Sequence, residues 1–286
     1  MSAPIGIIGG SGLYQLENLT NIEEIKIETP FGQPSDAFIK GCLEGKNVVF
    51  LPRHARGHRL LPTELNHRAN IWAMRSLGVR FIISVTAVGS LKAEYAPGDI
   101  VIPDQYFDRT SRRKNDTFFG NGIVAHVSPA DPYSEQLRQI LIKSTQKSRI
   151  KTHSGGTYVN MDGPAFSTRA ESNANRQLGF DIIGMTNVPE AKLAREAEIA
   201  LATLCMVTDY DCWKPHEEDA NAKSILEVLM QNAENAKKIV ADAIKSIPTE
   251  ANWPEHESLK TSLATPKEFW PEKTKTKLKP LLEPYL

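Results

Sequence analysis

The chain has 286 residues, room for a sizeable core, and its length fits one α/β domain with appendages as readily as two domains. Its 34 Lys+Arg balance 34 Asp+Glu, which excludes the basic surplus of a general nucleic-acid binder and the acidic surplus of a solvating tail, so a charged ligand has to be met by a local cluster. Cys42, Cys205 and Cys212 form no C-x-x-C pair, no apolar run nears the ~18 residues of a membrane span, and residues 1–10 carry no basic leader; the expectation is a cytoplasmic protein with no disulfide scaffold, zinc knuckle or membrane anchor.

From residue 5 to 247, short β-branched runs alternate with longer helical patterns. This is the rhythm of parallel strands joined by crossover helices, and the predicted class is α/β, a mostly parallel, mixed central sheet flanked by helices. In chain order the pattern predicts strands at 5–8 and 48–51, a helix at 65–76, and strands at 81–86 and 100–103. Residues 107–126, with Arg109, Arg112, Arg113, Lys114, Gly120 and Gly122, show neither periodicity and read as a long excursion of the kind that is functional or disordered. A helix at 134–144, a strand at 156–161, a helix at 169–178, a strand at 181–183, a helix at 189–198, a strand at 199–207 and a helix at 222–246 follow. Residues 1–250 are thus expected to form one domain. Residues 251–286, interrupted by Pro254, Pro266, Pro271, Pro280 and Pro284 and rich in lysine, are expected to be an extension, packed or partly mobile.

In an open parallel sheet the ligand sits beyond the carboxyl ends of the strands, so the residues that follow each strand matter most. The first strand runs into Gly9-Gly10-Ser11-Gly12, whose backbone N–H groups and Ser11 hydroxyl suit an anion; a plain tight turn reads equally well, since position 15 is Gln and position 13 is Leu, against the dinucleotide fingerprint and the nucleophile elbow. The second runs into Arg53-His54-Ala55-Arg56-Gly57-His58-Arg59, with three arginines, two histidines and no acid. A solvated basic face and an H-x-x-x-H zinc pair compete with an anion site there, but Pro52, Gly57 and Pro62 oppose the helix that a zinc pair needs. Thr86 and Thr186 are expected to close strands, where hydroxyls commonly cap helices; with Ser11, Arg53 and His54 they line one sheet edge with donors, which favours phosphate. Asp209-Tyr210-Asp211 follows an apolar run, and its two acids suit a heterocycle, with mutual repulsion keeping one protonated, or else a helix N-cap. Ala222, Ile225 and Leu226 make one helical stripe, a pattern that is usually core.

Together, Gly-Gly-Ser-Gly, Thr29-Pro30-Phe31-Gly32, Arg53-His54 with His58, Asn70-Ile71-Trp72-Ala73, Gly89-Ser90-Leu91, Pro97-Gly98-Asp99-Ile100-Val101, Asp162-Gly163-Pro164, Arg169-Ala170-Glu171-Ser172, Met185-Thr186, Val188-Pro189-Glu190 and Thr208-Asp209-Tyr210-Asp211-Cys212-Trp213 closely resemble the 5'-methylthioadenosine phosphorylase family, in the trimeric branch of the purine nucleoside phosphorylases. The match runs from Ile5 to about Ile244, with one departure: Gly184 stands where many relatives have Asn. The resemblance implies phosphorolysis of 5'-methylthioadenosine to adenine and 5-methylthioribose 1-phosphate by a homotrimer, in purine and methionine salvage. It implies that Ser11, Arg53, His54, Thr86, Ala87 and Thr186 hold phosphate, that Met185 lines the ribose, and that Phe166 stacks on the base. Asp209 and Asp211 would be catalytic, facing N7 and the 6-amino group; His58, Ala222, Ile225 and Leu226 would flank the methylthio end, with His126 arriving from a neighbouring subunit.

The chemistry fits these residue types. A leaving purine gathers negative charge while the ribose gathers positive charge, so a phosphate anion on one side and a proton at N7 on the other stabilise the transition state. No metal, flavin, nicotinamide or nucleic acid is expected, and inorganic phosphate is a co-substrate. A phosphorylase of 5'-methylthioinosine or other 6-oxopurine nucleosides, a nucleoside hydrolase and a non-catalytic nucleoside sensor are the alternatives.

Overall fold

The structure, a computed structural model, describes residues 3–10, 18–111, 116–148, 150–214 and 222–286. Among these the strands are β1 (Ile5–Gly9), β2 (Thr20–Ile25), β3 (Phe38–Leu43), β4 (Lys46–Pro52), β5 (Phe81–Ser90), β6 (Ile100–Ile102), β7 (Gln105–Asp108), β8 (Thr152–Ser154), β9 (Thr157–Asn160), β10 (Ile182–Gly184) and β11 (Ala200–Asp209). The helices are α1 (His67–Ser76), α2 (Glu135–Lys147), α3 (Arg169–Gln177), α4 (Asn187–Glu196), α5 (Ala222–Ser246), α6 (Glu272–Lys277) and α7 (Lys279–Leu282). Local chemistry fixes several helix starts: Asn66 accepts from the Ala69 N–H at α1, and Thr168 and Glu171 form a reciprocal capping box at α3.

The strands join in one mixed sheet, ordered β2-β3-β4-β1-β5-β10-β9-β7, with β11 on β5 and β6, and β8 on β6. β1 pairs in parallel with β4 and β5, β11 with β5, β9 with β10 and β7, and β6 with β8; the β2–β3, β3–β4, β5–β10 and β6–β11 pairs are antiparallel. Both faces are covered, so central strands read as mostly apolar runs. Ile5, Ile7, Phe81 and Ile83 point into a core shared with Leu137 and Leu141 of α2 and Ile239 and Ile244 of α5. Ile8 and Ile82 point the other way, toward Ile71 and Met74 of α1 and Leu193 and Ala194 of α4.

β5 positions the site. Its first half, Phe81 to Val85, pairs with β1, whereas at Gly89 and Ser90 the same edge pairs with β10, running the opposite way. Between them Thr86, Ala87 and Val88 face a gap where one neighbour has left and the next has not yet arrived, the kind of place where ligands enter α/β sheets.

Several sequence expectations need correcting. Strands β2, β7 and β8 escape the pattern because they are short edge segments that carry polar residues, such as Thr20-Asn21-Ile22-Glu23-Glu24-Ile25, and β3, held between β2 and β4, escapes it because Lys40 and Gly41 interrupt its apolar run. Phe107 and Asp108 belong to β7 rather than to an irregular excursion, whose Arg112, Arg113 and Lys114 lie outside the described residues. Thr86 lies inside β5, which continues to Ser90, and does not close it.

Residues beyond 250 pack on the body: Leu259, Trp270, Leu278, Leu281 and Leu282 are buried in the same core as Phe118 and Ile123. The contact is sewn by an Ala125–Leu263 bridge, by the Val124 N–H donating to Thr265 Oγ1 at 2.9 Å, and by Thr274 Oγ1 donating to the Asn121 carbonyl at 2.7 Å. Among the described residues no helix is long and apolar enough to cross a membrane.

Candidate active site

A cavity of about 600 Å³ opens at the β5 gap and takes in residues from almost every expected ligand position. Gly10 of the first glycine turn lines it, while Ser11 lies outside the described residues.

After β4 the chain curls tightly. Ala55 and His58 adopt left-handed backbone, with φ of 59° and 52°, and the N–H groups of Arg59 and Leu60 both donate to the His54 carbonyl, at 3.0 and 3.1 Å. This carries Arg53 inward. Its guanidinium is 1 % exposed and donates from Nε to Glu190 Oε2 at 2.9 Å, from Nη2 to Glu190 Oε1 at 3.0 Å and Ser84 Oγ at 2.7 Å, and from Nη1 to the Val85 carbonyl at 3.1 Å. One Nη1 hydrogen is left for the cavity that Arg53 borders. His54 and His58 stack with ring centroids 4.6 Å apart and planes 8° apart, so their nitrogen edges do not converge as a zinc pair would need. His54 Nδ1 lies 2.9 Å from the Leu60 carbonyl, and burial, helped by the Arg53 charge, pulls the imidazole pKa down to about 4.

Thr86 and Thr186 meet across the gap, hydroxyl to hydroxyl at 3.2 Å, and both line the cavity with Ala87. Thr186 occupies the N-cap position of α4 but makes no capping bond; its hydroxyl lies between Thr86 and the buried Tyr158 hydroxyl. Glu190, from the Val-Pro-Glu motif that the resemblance had singled out without a role, is the acid behind Arg53, the partner that a buried arginine demands.

At the far end, Asp209 closes β11 after a bulge. Its Oδ2 accepts from the Thr208 hydroxyl and its Oδ1 from the Asp211 N–H, both at 2.7 Å, while Asp211 turns through a left-handed φ of 53°. Burial raises the Asp209 pKa to about 6, opposed by those two hydrogen bonds, with repulsion from Asp211 the smallest contribution. Burial likewise raises Asp211, opposed by the Ser172 and Ser167 hydroxyls and the Cys212 N–H beside its carboxyl. Gly89 makes room for the first acid, since a Cβ there would stand 2.9 Å from Asp209 Oδ1. Trp213 Nε1 donates to the Ser90 carbonyl at 2.7 Å and pins the segment after the acids. Among the described residues α5 starts at Ala222, and residues 215–221, which would decide whether these acids cap it, lie outside them.

Met185 lines the cavity, and Phe166 stands at its rim, 41 % exposed. Gly184 has a steric reason to be Gly: a Cβ there would fall on the hydroxyl of Tyr158, which is fully buried beneath it on β9. His58, Leu60, Leu61, Pro62, Ile225 and Leu229 wall the third side with largely apolar surface. Ala222 and Leu226 share helix α5 with Ile225, but their side chains lie outside the described residues. Leu229 continues that stripe by one turn and was legible from spacing; Leu61, Pro62, Met161 and Met206 carried no signal. His126 is exposed and does not border the cavity of its own chain.

Comparisons with known proteins agree with this architecture. A family model described as the Phosphorylase superfamily matches residues 4–245. The S-methyl-5'-thioadenosine phosphorylase of Geobacter sulfurreducens is 51 % identical over 286 residues, covering 100 % of both chains, and that of Synechocystis is 51 % identical over 100 % of this chain and 88 % of its own. Among solved structures, a methylthioadenosine phosphorylase from an antarctic soil metagenomic library superimposes with a TM-score of 0.93 at 52 % identity, over 98 % of this chain and 99 % of that one. A variant adenosine/methylthioadenosine phosphorylase from Schistosoma mansoni, in complex with methylthioadenosine, gives a TM-score of 0.82 at 35 % identity over 90 % and 96 %.

Proposed function

The chain belongs to the phosphorylase superfamily, among its S-methyl-5'-thioadenosine phosphorylases, and from that premise we propose how its cavity performs the reaction. The activity is phosphorolysis of S-methyl-5'-thioadenosine to adenine and 5-methylthioribose 1-phosphate. The observation that carries the site assignment is the polarity of the cavity: hydroxyls and cationic or imidazole groups at the β5 gap, a pair of buried acids at the end of β11, and an apolar wall beside them.

In this reading phosphate is held by Thr86, the Ala87 backbone, Thr186, His54 and the one uncommitted hydrogen of Arg53, with Ser11, outside the described residues, the further ligand that the resemblance implies. Met185 supports the ribose and Phe166 covers the base. His58, Ile225 and Leu229, with Ala222 and Leu226 on the same helix, receive the methylthio group. A phosphate oxygen attacks C1' as the bond from C1' to N9 breaks and its electron pair passes to the purine; protonated Asp209 delivers its proton to N7 while Asp211 accepts from the 6-amino group. Burial, which holds the Asp209 carboxyl near pH 6, makes that proton available. The acids favour the 6-aminopurine, because an ionised Asp211 repels a 6-oxygen.

The working assembly in this reading is a homotrimer in the cytoplasm, with His126 completing the methylthio end of a neighbour's cavity; its exposure, away from its own chain's cavity, supports that role. Incubation with S-methyl-5'-thioadenosine, with and without phosphate, tests the chemistry. Adenine release that is indifferent to phosphate overturns it, as a hydrolase would show.

A further inference from the structure

We infer that Arg176 and Trp213, neither of which borders the cavity, act together as a clamp that positions Asp211, and so decide how strongly the enzyme prefers a 6-amino to a 6-oxo purine. This rests on the reading of Asp211 as the group that faces the 6-substituent, and adds two positioning residues that the reading does not contain.

Asp211 stands where the chain leaves the sheet. Strand β11 ends at Asp209, and Asp211 turns through a left-handed φ of 53°. A backbone beyond the last strand pair keeps its place through the side chains around it. Two residues after Asp211, Trp213 donates from Nε1 to the Ser90 carbonyl at 2.7 Å and packs on the apolar cluster of Leu91, Val159, Phe180 and Ile183. Arg176 closes over it: the guanidinium carbon stands 3.6 Å from the ring centroid, and Nε donates to the Leu91 carbonyl at 3.1 Å. Indole and guanidinium thus take two successive carbonyls where β5 ends, the strand that also frames the cavity. An indole tied by its N–H and covered by a cation resists both swinging and tilting.

Arg176 reaches Trp213 from α3, the helix opened by the Arg169-Ala170-Glu171-Ser172 motif. Arg169, Ser172 and Arg176 follow one another at i+3 and i+4 spacing and share a helix face. All three meet the acid segment. Arg169 Nη1 donates to the Cys212 carbonyl at 2.7 Å, the Ser172 hydroxyl stands beside the Asp211 carboxyl, and Arg176 covers Trp213. Asp209 is held separately, paired with Gly89 of β5 and accepting from the Thr208 hydroxyl, so the clamp bears on Asp211.

The test is the ratio of kcat/KM for S-methyl-5'-thioadenosine to that for 5'-methylthioinosine, with the KM for phosphate beside it. Arg176 is exposed, so Arg176→Met is expected to fold, and Arg176→Gln replaces it if it does not. The ratio is expected to fall by about tenfold, through slower reaction of the amino nucleoside, since small misplacements of a binding group are costly. The KM for phosphate is expected to stay at its native value. Trp213→Leu should lower the ratio to a similar extent, and the double variant should fall no further, because both residues act through one contact. A native ratio in the Arg176 variant overturns the inference. So does an equal loss on both nucleosides, the mark of a merely structural role, and so do additive losses in the double variant. Asp211→Asn separates the two levels. If it leaves the ratio unchanged, the reading of Asp211 fails and the clamp with it; if it collapses the ratio while the Arg176 variant keeps it, the clamp alone fails.

Discussion

Arg53 and Glu190 face each other as a fully buried fork, two hydrogen bonds of 2.9 and 3.0 Å with both side chains 1 % exposed, directly behind the floor of the cavity. The pair makes the phosphate end of the site and the stability of the fold a single problem. Removing either partner leaves the other charge buried and uncompensated, at a cost of about 3–5 kcal/mol. Arg53→Ala and Glu190→Ala are therefore both expected to lower the denaturation midpoint as well as raise the phosphate requirement. The double change Arg53→Met with Glu190→Leu should recover much of the stability and none of the phosphate affinity. Denaturant titration of the three variants, beside the KM for phosphate, checks this; additive stability losses would show that the pair is not coupled.

The Asp209 carboxyl, raised to about 6, is half protonated there and about one-tenth protonated a unit higher. An acid that must give its proton loses rate as pH climbs, so kcat/KM for S-methyl-5'-thioadenosine is expected to fall through that region in the native enzyme. Asp209→Asn should lose most of the rate and flatten this limb. It should also narrow the preference for the amino over the oxo nucleoside, expected to be at least about a hundredfold in the native protein. Measuring kcat/KM for both nucleosides against pH in both proteins decides it; an unaltered ratio would mean that base recognition lies elsewhere.

Gly184→Ala puts a methyl group where the Tyr158 hydroxyl stands. Overpacking of this kind costs about 1–3 kcal/mol, and here it pushes on Met185 and Thr186, the next two residues of the site. Reduced activity is expected, with partial recovery when Tyr158→Leu is added. Tyr158→Phe alone removes a buried hydroxyl that has no well-formed hydrogen bond, and should leave stability equal or higher. A cycle in which the Tyr158 change gives no relief would refute the steric account.

Trp270 is 6 % exposed, and its Nε1 donates to the Thr265 carbonyl at 2.8 Å. Truncation to Ala is expected to cost about 3–5 kcal/mol, as for other buried aromatics. A change of less than about 1 kcal/mol in urea unfolding would show that the C-terminal segment is not part of the cooperative core.

His126→Ala should raise the KM for the nucleoside while leaving the phosphate requirement unchanged, and light scattering should show an assembly larger than a monomer. A fully active monomer at assay concentration would remove His126 from the site.

What the sequence made legible follows from where each signal resides. The central strands announced themselves because burial on both faces favours apolar residues, as in Ile5, Ile7, Ile8 and Phe81 to Ile83. The edge strands did not, since Thr20 to Ile25 is largely exposed and held by backbone pairing that any side chain permits. The site's charged and hydroxyl residues were legible from type and position, but their division of labour was not. Nothing in the order of residues says that most of Arg53 is spent on Glu190, or that the Asp209 shift comes from burial more than from Asp211. Gly184 looked like a departure until Tyr158, far away along the chain, supplied its reason.

The bracing of residues 121–125 by residues 263–274 also sets an order of events. Strands β1 to β11 and the helices between them are in hand once the chain has been made to about residue 246, yet Val124, Ala125 and Asn121 acquire their partners only from residues synthesised after that. On the ribosome, the stretch leading to His126 is thus left unfastened until nearly the whole sequence has emerged, long after the sheet can close. A stalled or clipped product would lack this brace and would also leave open the core that Leu259, Trp270 and Leu282 share with Ile82 and Leu193.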